Sequence, residues 1–263
     1  MYYDTVIPDT AQGRFYTFFK AKIPLVTGWS IHDDMAVDYH IVFKCVAGYG
    51  TYYLELNDID DAYKLWWKVW QSWDEVTHAG DTLLANAGPT YISRKADQSL
   101  RLYISSRRVI LGDRTQGKSF YAGYLTKLAN DELPFLVCLG GSTSEASTVA
   151  WQPLMAYSCY WKIAEDHLGN LNQNCRPDWF IYSTTNLYLH RITPMGRAII
   201  MPSLVVKDII DPGRAYGFLE NVAQLGVKTG VVNGDIVYDE SDEPWLAYVT
   251  GPNWYSAVIV KDE

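Results

Sequence analysis

The sharpest chemical pattern in the chain is Gly112-Asp113-Arg114-Thr115-Gln116-Gly117-Lys118-Ser119, which satisfies the GxxxxGK[ST] spacing of a phosphate-binding loop. In such a loop backbone N–H groups cradle phosphates, the lysine reaches the terminal phosphates and the serine holds magnesium. The pattern fixes only Gly112, Gly117, Lys118 and Ser119, so its setting must support it. A strand-like run, YISSRRVIL, precedes it, but SFYAGYLTKL follows, aromatic and interrupted by Gly123. That is a poor helix start, and the stretch reads as a glycine-bounded hairpin loop.

Acidic residues gather at Asp33-Asp34, at Asp58, Asp60 and Asp61, and from Asp239 to Glu243. A calcium loop needs acids at alternate positions, then a glycine and a distant glutamate. NDIDDAYKLWWK has neither where required, so these clusters read as solvated turns. His32, His40, His78, His167 and His190 share no HxH, HExxH or Cys/His spacing, and there is no GxSxG elbow. No cofactor and no metal site is expected. The remaining constellation is a stripe of Trp66, Trp67, Trp70 and Trp73, a pattern suited to core, to a subunit interface or to a sugar-stacking platform. Interface burial is favoured over the platform, and Trp254 and Tyr255 near the C-terminus join the candidate interface.

The elements that must position these residues are mostly strands. In DYHIVFKCVA, Tyr39, Ile41, Phe43 and Cys45 alternate with His40, Val42, Lys44 and Val46, the two-residue period of a sheet. GWSIHDD, GTYYLELND, residues 101–111 (RLYISSRRVIL) and residues 119–125 read similarly. Asn233-Gly234 between β-branched runs predicts a two-residue hairpin, and WLAYVT and WYSAVIVKD extend it into a C-terminal antiparallel meander. Residues 9–22 form the one predicted helix, closed by Pro24. Residues 59–73 fit a helix behind an Asp58 N-cap, and also a strand with Tyr63, Leu65, Trp67 and Val69 on one face. Aromatic and β-branched enrichment favours the strand. The predicted fold is mainly β, an antiparallel sandwich or barrel-like arrangement with a short N-terminal helix. The polar tract at 140–148 (GGSTSEAST) suggests two β-rich parts, residues 1–145 and 146–263, which could also form one compact unit.

Composition bounds the partners. The 263 residues include 20 Tyr, 10 Trp and 8 Phe against only 20% charged residues, ample apolar area for a large core. A net charge of −8 gives no long-range pull on phosphate backbones or anionic membranes, so neither nucleic acid nor membrane insertion is expected. No apolar run approaches the ~20 residues of a membrane-spanning helix. The opening MYYDTVIPD lacks the basic start and apolar core of a signal peptide. Cys45, Cys138, Cys159 and Cys175 show no CxxC pair, and reduced, buried thiols are expected.

In sequence order the chain resembles a family of tailed-bacteriophage virion structural proteins, β-rich proteins of the tail, neck and baseplate. The likeness runs through MYYDTVIPDT, GRFYTFFK, Gly28-Trp29 and DYHIVFKCVAGYGTYYLELND. It continues in Ser72-Trp73-Asp74 with Thr77-His78-Ala79-Gly80, in LRLYISSRRVILGDRTQGKSFYAGYLTKL and in PFLVCLGGST. RITPMGRAIIMPS and the final GDIVYDE, PWLAYVT and WYSAVIVKD complete it. The resemblance implies a non-enzymatic subunit of the phage particle, made in the host cytoplasm. Its partners would be copies of itself and other tail, neck or baseplate proteins. The family carries over no catalytic residues. A carbohydrate-binding, receptor-recognising β-sandwich is the alternative, and a P-loop nucleotide-binding protein a more distant one.

Overall fold

The computed structural model describes residues 2–7, 11–48, 50–58, 65–90, 96–115, 118–126, 136–139, 158–159, 175–177, 200–207, 215–225, 234–239, 241–248 and 257–261. The chain opens with β1 (Tyr2–Ile7), α1 (Arg14–Lys22), β2 (Trp29–Met35), β3 (His40–Ala47) and β4 (Gly50–Asn57). Then come β5 (Leu65–Asp74), β6 (Ala79–Thr90), β7 (Gln98–Ser105), β8 (Arg108–Asp113), β9 (Lys118–Tyr124) and β10 (Leu136–Leu139). Short β11 (Ser158–Cys159) and β12 (Cys175–Pro177) precede β13 (Ile200–Lys207) and β14 (Ala215–Leu225). The meander β15 (Ile236–Tyr238), β16 (Pro244–Tyr248) and β17 (Ala257–Lys261) follows.

These strands form three antiparallel sheets in a sandwich-like arrangement that does not close into a barrel. The first sheet runs β1-β7-β8-β9-β10, the second β11-β6-β5-β4-β3-β2 and the third β12-β13-β14-β17-β16-β15. The first two face each other across one core, with α1 packed on it. Ile41, Phe43, Tyr52, Leu54, Trp67 and Val69 from the second sheet meet Leu102, Val109, Leu111 and Phe120 from the first, with Phe15 and Phe19 from α1. β11 lies beyond the expected boundary at 145/146, yet it pairs with β6 of the second sheet, Ser158 opposite Asn86.

Several expectations are corrected. Residues 101–111 are not one strand. The polar centre Ser105-Ser106-Arg107 turns the chain, and β7 pairs back on β8 with Ser105 opposite Arg108. The N-terminus contributes a strand as well as a helix, since β1 pairs with β7 from Tyr2 opposite Tyr103 to Ile7 opposite Gln98. The helix starts only at Arg14, after Gly13 in the left-handed region at φ 78°. Asp58 does cap a helix, but the distant α1, where its fully buried carboxylate accepts the N–H groups of Phe15 and Tyr16 at 2.9 and 3.2 Å. Residues 65–74 are a strand, with Leu65, Trp67 and Val69 all fully buried on one face; Tyr63 lies outside the described residues. Gly234 has the positive φ, 93°, expected of its turn, while the first strand of that hairpin lies outside the described residues.

The turn at Ser106-Arg107 is where the sheets are tied together. The Trp29 indole N–H donates to the Ser105 carbonyl at 2.7 Å, and the Tyr52 hydroxyl donates to the Arg107 carbonyl at 3.1 Å. Tyr124 N–H donates to the same carbonyl at 3.2 Å. Gly123, opposite Arg108, sits at φ 140°, and a Cβ there would meet the Arg107 carbonyl oxygen at 2.4 Å. Only glycine allows that approach. The third sheet joins through a bridge in which Thr126 and Phe218 exchange two backbone hydrogen bonds of 2.8 and 3.0 Å.

Candidate functional site

The Gly112 to Ser119 stretch is a hairpin, not a strand–loop–helix. β8 pairs with β9, Gly112 opposite Ser119 and Asp113 opposite Lys118, so no helix N-terminus faces the loop; Gly117 lies outside the described residues. Asp113 is fully buried and works in the core. Its carboxylate accepts the Gln98 side-chain N–H at 2.7 Å and the Thr115 backbone N–H at 2.9 Å. Gln98 in turn accepts a hydrogen bond from the Arg14 guanidinium. A buried amide thus relays between a buried cation and a buried anion.

The densest group of polar and aromatic side chains lies on the other face of the second sheet. Strand register aligns Asp33, Val42, Glu55 and Lys68 in one row across β2, β3, β4 and β5. Alternation with core-facing Ile41, Phe43, Leu54 and Leu56 turns this row outward. An outward row in an edge-exposed sheet should be wet, yet Asp33 is 7% exposed, Glu55 6% and Val42 fully buried. The cover comes from the far end of the β5–β6 hairpin. Trp73 is five residues past Lys68, about 16 Å along a straight strand, yet its indole N–H donates to Asp33 Oδ2 at 2.8 Å. The strand must bend back over the sheet. Breaks in the β5–β6 register at Trp67/Lys68 and Val69/Trp70 supply that bend.

Each side chain on this curled arm has a defined partner. The Trp70 indole N–H donates to Glu55 Oε2 at 2.6 Å, while His40 Nε2 lies 3.1 Å and Lys68 Nζ 3.4 Å from Glu55 Oε1. His78 Nδ1 is 2.8 Å from Asp33 Oδ2, and His32 Nδ1 is 3.1 Å from Glu75 Oε1. The Trp73 ring stands edge-on to both Trp70 and His40, with centroids 6.1 Å apart in each case. Trp70 lies flat over Gly80, where a Cβ would come within 2.2 Å of the ring, and Lys68 Nζ sits 5.6 Å from its centroid. Asp74 shapes the tip by accepting the Val76 N–H at 2.8 Å.

Burial raises the Glu55 carboxyl, but the hydrogen bonds and charges of His40, Lys68 and Trp70 outweigh it and leave the group lowered. Asp33 follows the same logic: burial raises it, and His78 and Trp73 bring it below its ordinary value. A carboxylate lowered in the folded state contributes stability that is present above its unfolded pKa and lost as pH falls through the folded one. Acid unfolding followed by tryptophan fluorescence should therefore show stability declining below about pH 4.5. In Glu55→Gln, which keeps the shape and loses the charge, that acid limb should be shallower. An acid limb unchanged in E55Q would refute this role for Glu55.

The four stripe tryptophans divide by face. Trp67 is core, stacked on Phe120 with centroids 3.7 Å apart. Trp66 and Trp70 are half-buried on the outer face, and Trp73 is 9% exposed beneath the arm. The faces of Trp70 and Trp73 are thus occupied by the protein's own groups. Trp254 and Tyr255 lie outside the described residues. Asp33 and Asp58 depart from the solvated turns that their clusters predict, since both are buried acceptors, and the role of Glu55 has no sequence signal at all. Their partners are 13 to 45 residues away, and no local pattern announces them. Cys45 and Cys138 are buried and outside any disulfide, as their apolar surroundings predict, and burial pushes the Cys45 thiol up to about 12.

A second polar group joins the first and third sheets. Glu220 of β14 accepts two hydrogen bonds from Arg107 Nη2, at 2.7 and 2.6 Å, and pairs with the Arg108 guanidinium. They line an open groove of about 420 Å³ with Gly48, Ser105 and Ser106. Because Glu220 engages both cations, the arrangement works as a clasp between sheets. Among the described residues no group of three or more His, Cys, Asp or Glu side chains is placed to hold a metal ion, and no helix is long and apolar enough to cross a membrane.

Comparison with known protein families and with curated proteins gives no match. The fold and the arm define a multi-sheet antiparallel β protein whose most elaborate polar cluster holds one part of the chain against another.

Proposed function

We propose that the chain is a non-enzymatic structural subunit of a tailed-bacteriophage particle, assembling in its tail, neck or baseplate with copies of itself and neighbouring proteins. The observation that carries this reading is the end of the third sheet. Among the described residues β15 is a terminal strand, paired only on its β16 side, Ile236 opposite Leu246 and Tyr238 opposite Pro244. Its outward side chains, Ile236 and Tyr238, are 38% and 50% exposed. Exposed apolar side chains on a strand at the end of a sheet are a ready surface for contact with another chain. The free edge at β2, by contrast, is guarded by a bulge between Ile31 and Asp33 and by the acids Asp33 and Asp34. An exposed apolar strip at the end of a sheet suits the contacts that a repeated subunit makes. The aromatic richness of the chain and its likeness in sequence order to virion proteins support the same conclusion.

Sedimentation of the purified protein over rising concentration should show species larger than the monomer, and Ile236→Asp with Tyr238→Asp should shift them back by about tenfold or more in concentration. Mass spectrometry of purified particles should find the protein among the virion components. A strictly monomeric protein that is also missing from particles would overturn the proposal.

A further inference from the structure

We propose that the β5–β6 arm is a pH-operated latch, held against the second sheet more tightly under mildly acidic conditions than under alkaline ones. The inference is independent of the virion reading and rests on how the arm is fastened. Its tip touches β2 through two imidazole–carboxylate pairs that run in opposite directions. His78 of the arm reaches Asp33 of the sheet, and His32 of the sheet reaches Glu75 of the arm. A third imidazole, His40, shares Glu55 with Trp70 and packs against the Trp73 ring. Histidine is the side chain whose charge changes between about pH 5 and 8. All three imidazoles of the described residues therefore sit on this one fastening, each against a carboxylate.

The backbone supports the same assignment. His78 occupies the left-handed region at φ 51°, a conformation that glycine or asparagine adopts with less strain. This turn conformation directs the His78 side chain to Asp33, 2.8 Å from Oδ2. Lifting the arm would expose the covered row of Asp33, Val42 and Glu55, a buried polar and apolar strip. Other charges surround the pairs. Asp34 and Lys20 lie beside β2, bonded to each other at 2.6 Å, and Tyr16 donates to Asp34. Lys44 faces Tyr53, Lys68 faces Glu55, and Asp74 stands at the turn. Lysine and aspartate side chains ordinarily keep their charge between about pH 5 and 8, which leaves imidazole as the side-chain type among these whose charge changes there.

With imidazolium formed, each pair is an ion pair with a charge-assisted hydrogen bond; with neutral imidazole it is a weaker neutral one. Because the tip pairs are partly exposed, each contributes modestly, and together they should shift the opening equilibrium by about three- to tenfold.

Amide hydrogen exchange, corrected for the intrinsic pH dependence of the chemistry, reads this directly. Protection of residues 72–80 should be three- to tenfold higher at pH 5.5 than at pH 8, while the β8–β9 amides hold constant. In His32→Gln with His78→Gln the difference between the two pH values should shrink to what His40 alone contributes. Equal protection of the arm at both pH values in the unaltered protein would overturn the latch, as would an undiminished pH step in the double variant. Should the double variant not fold, the comparison of arm with β8–β9 amides in the unaltered protein still decides.

Discussion

Replacing Trp67 by alanine is expected to lower unfolding free energy by about 3–5 kcal/mol, the range for truncating a buried tryptophan. The indole is fully buried at the centre of the core between the first two sheets. It stacks on Phe120 of the first sheet, with centroids 3.7 Å apart and planes 22° from parallel, and takes the edge of Phe19 from α1 at 4.9 Å. One side chain thus ties together both sheets and the helix. The strands on either side cannot collapse into the void without breaking their ladders, so little of the loss is recoverable. Trp67→Phe separates the two contributions. Among the described residues the Trp67 indole N–H has no hydrogen-bond partner, so phenylalanine keeps a stacking ring while removing a buried polar group. Chemical denaturation should place W67F well above W67A; equal losses would show that ring stacking is not what the site supplies.

The second large effect is expected at Asp113, the acid inside the phosphate-loop pattern. Asp113→Ala should cost about 3–5 kcal/mol, because it removes the anion from a buried charged chain and leaves the cation behind. Asp113 and Gln98 are fully buried and Arg14 is 6% exposed, so water cannot replace the lost acceptor. Arg14 is the first residue of α1, and Gln98 opens β7, so the chain fastens the helix to the first sheet. Loosening it should also reduce protection of the α1 amides. The paired variant Arg14→Met with Asp113→Leu removes both charges together and should recover part of the loss. Denaturation midpoints of the wild type, D113A and the pair decide: a pair no more stable than D113A would show that the two charges are not coupled through Gln98. Nucleotide plays no part in this expectation, and the substitution tests the hairpin reading of residues 112–119 through stability alone.

The elements most legible in the sequence were those whose residues answer to their own neighbours. The two-residue alternation of β3 and β4, the Asn-Gly pair and the glycine-bounded β8–β9 loop led to the antiparallel β fold. The same alternation put Leu65, Trp67 and Val69 on one buried face. Where the reading failed, the deciding contact was remote. β1 went unread because its partner β7 lies about 95 residues away. The run at 101–111 was read as continuous because its polar centre, flanked by strong strand formers, looks like a mere interruption of one strand. In fact Ser106 and Arg107 offer backbone carbonyls to Cys45, Tyr52 and Tyr124, which hold the turn in place.

The candidate site shows the division most sharply. Residue spacing by itself set Ile41, Phe43 and Cys45 on one face of β3 and Val42 on the other, since alternate strand residues face opposite sides of a sheet, whereas the bulge between Ile31 and Asp33 brings Asp33 into register with Val42. It also determined that Trp70 and Trp73 belong to a long aromatic strand. Only the tertiary structure decided that this outward row is buried. Two irregularities in the β5–β6 register bend the hairpin back over the sheet. Trp73, Glu75 and His78 are thereby brought to His32 and Asp33, 40 to 45 positions away in the chain. Strand alternation is a local property of the backbone, whereas burial is set by whatever the rest of the chain lays on top. The outward carboxylates of this row therefore became buried acceptors only when the arm closed over them.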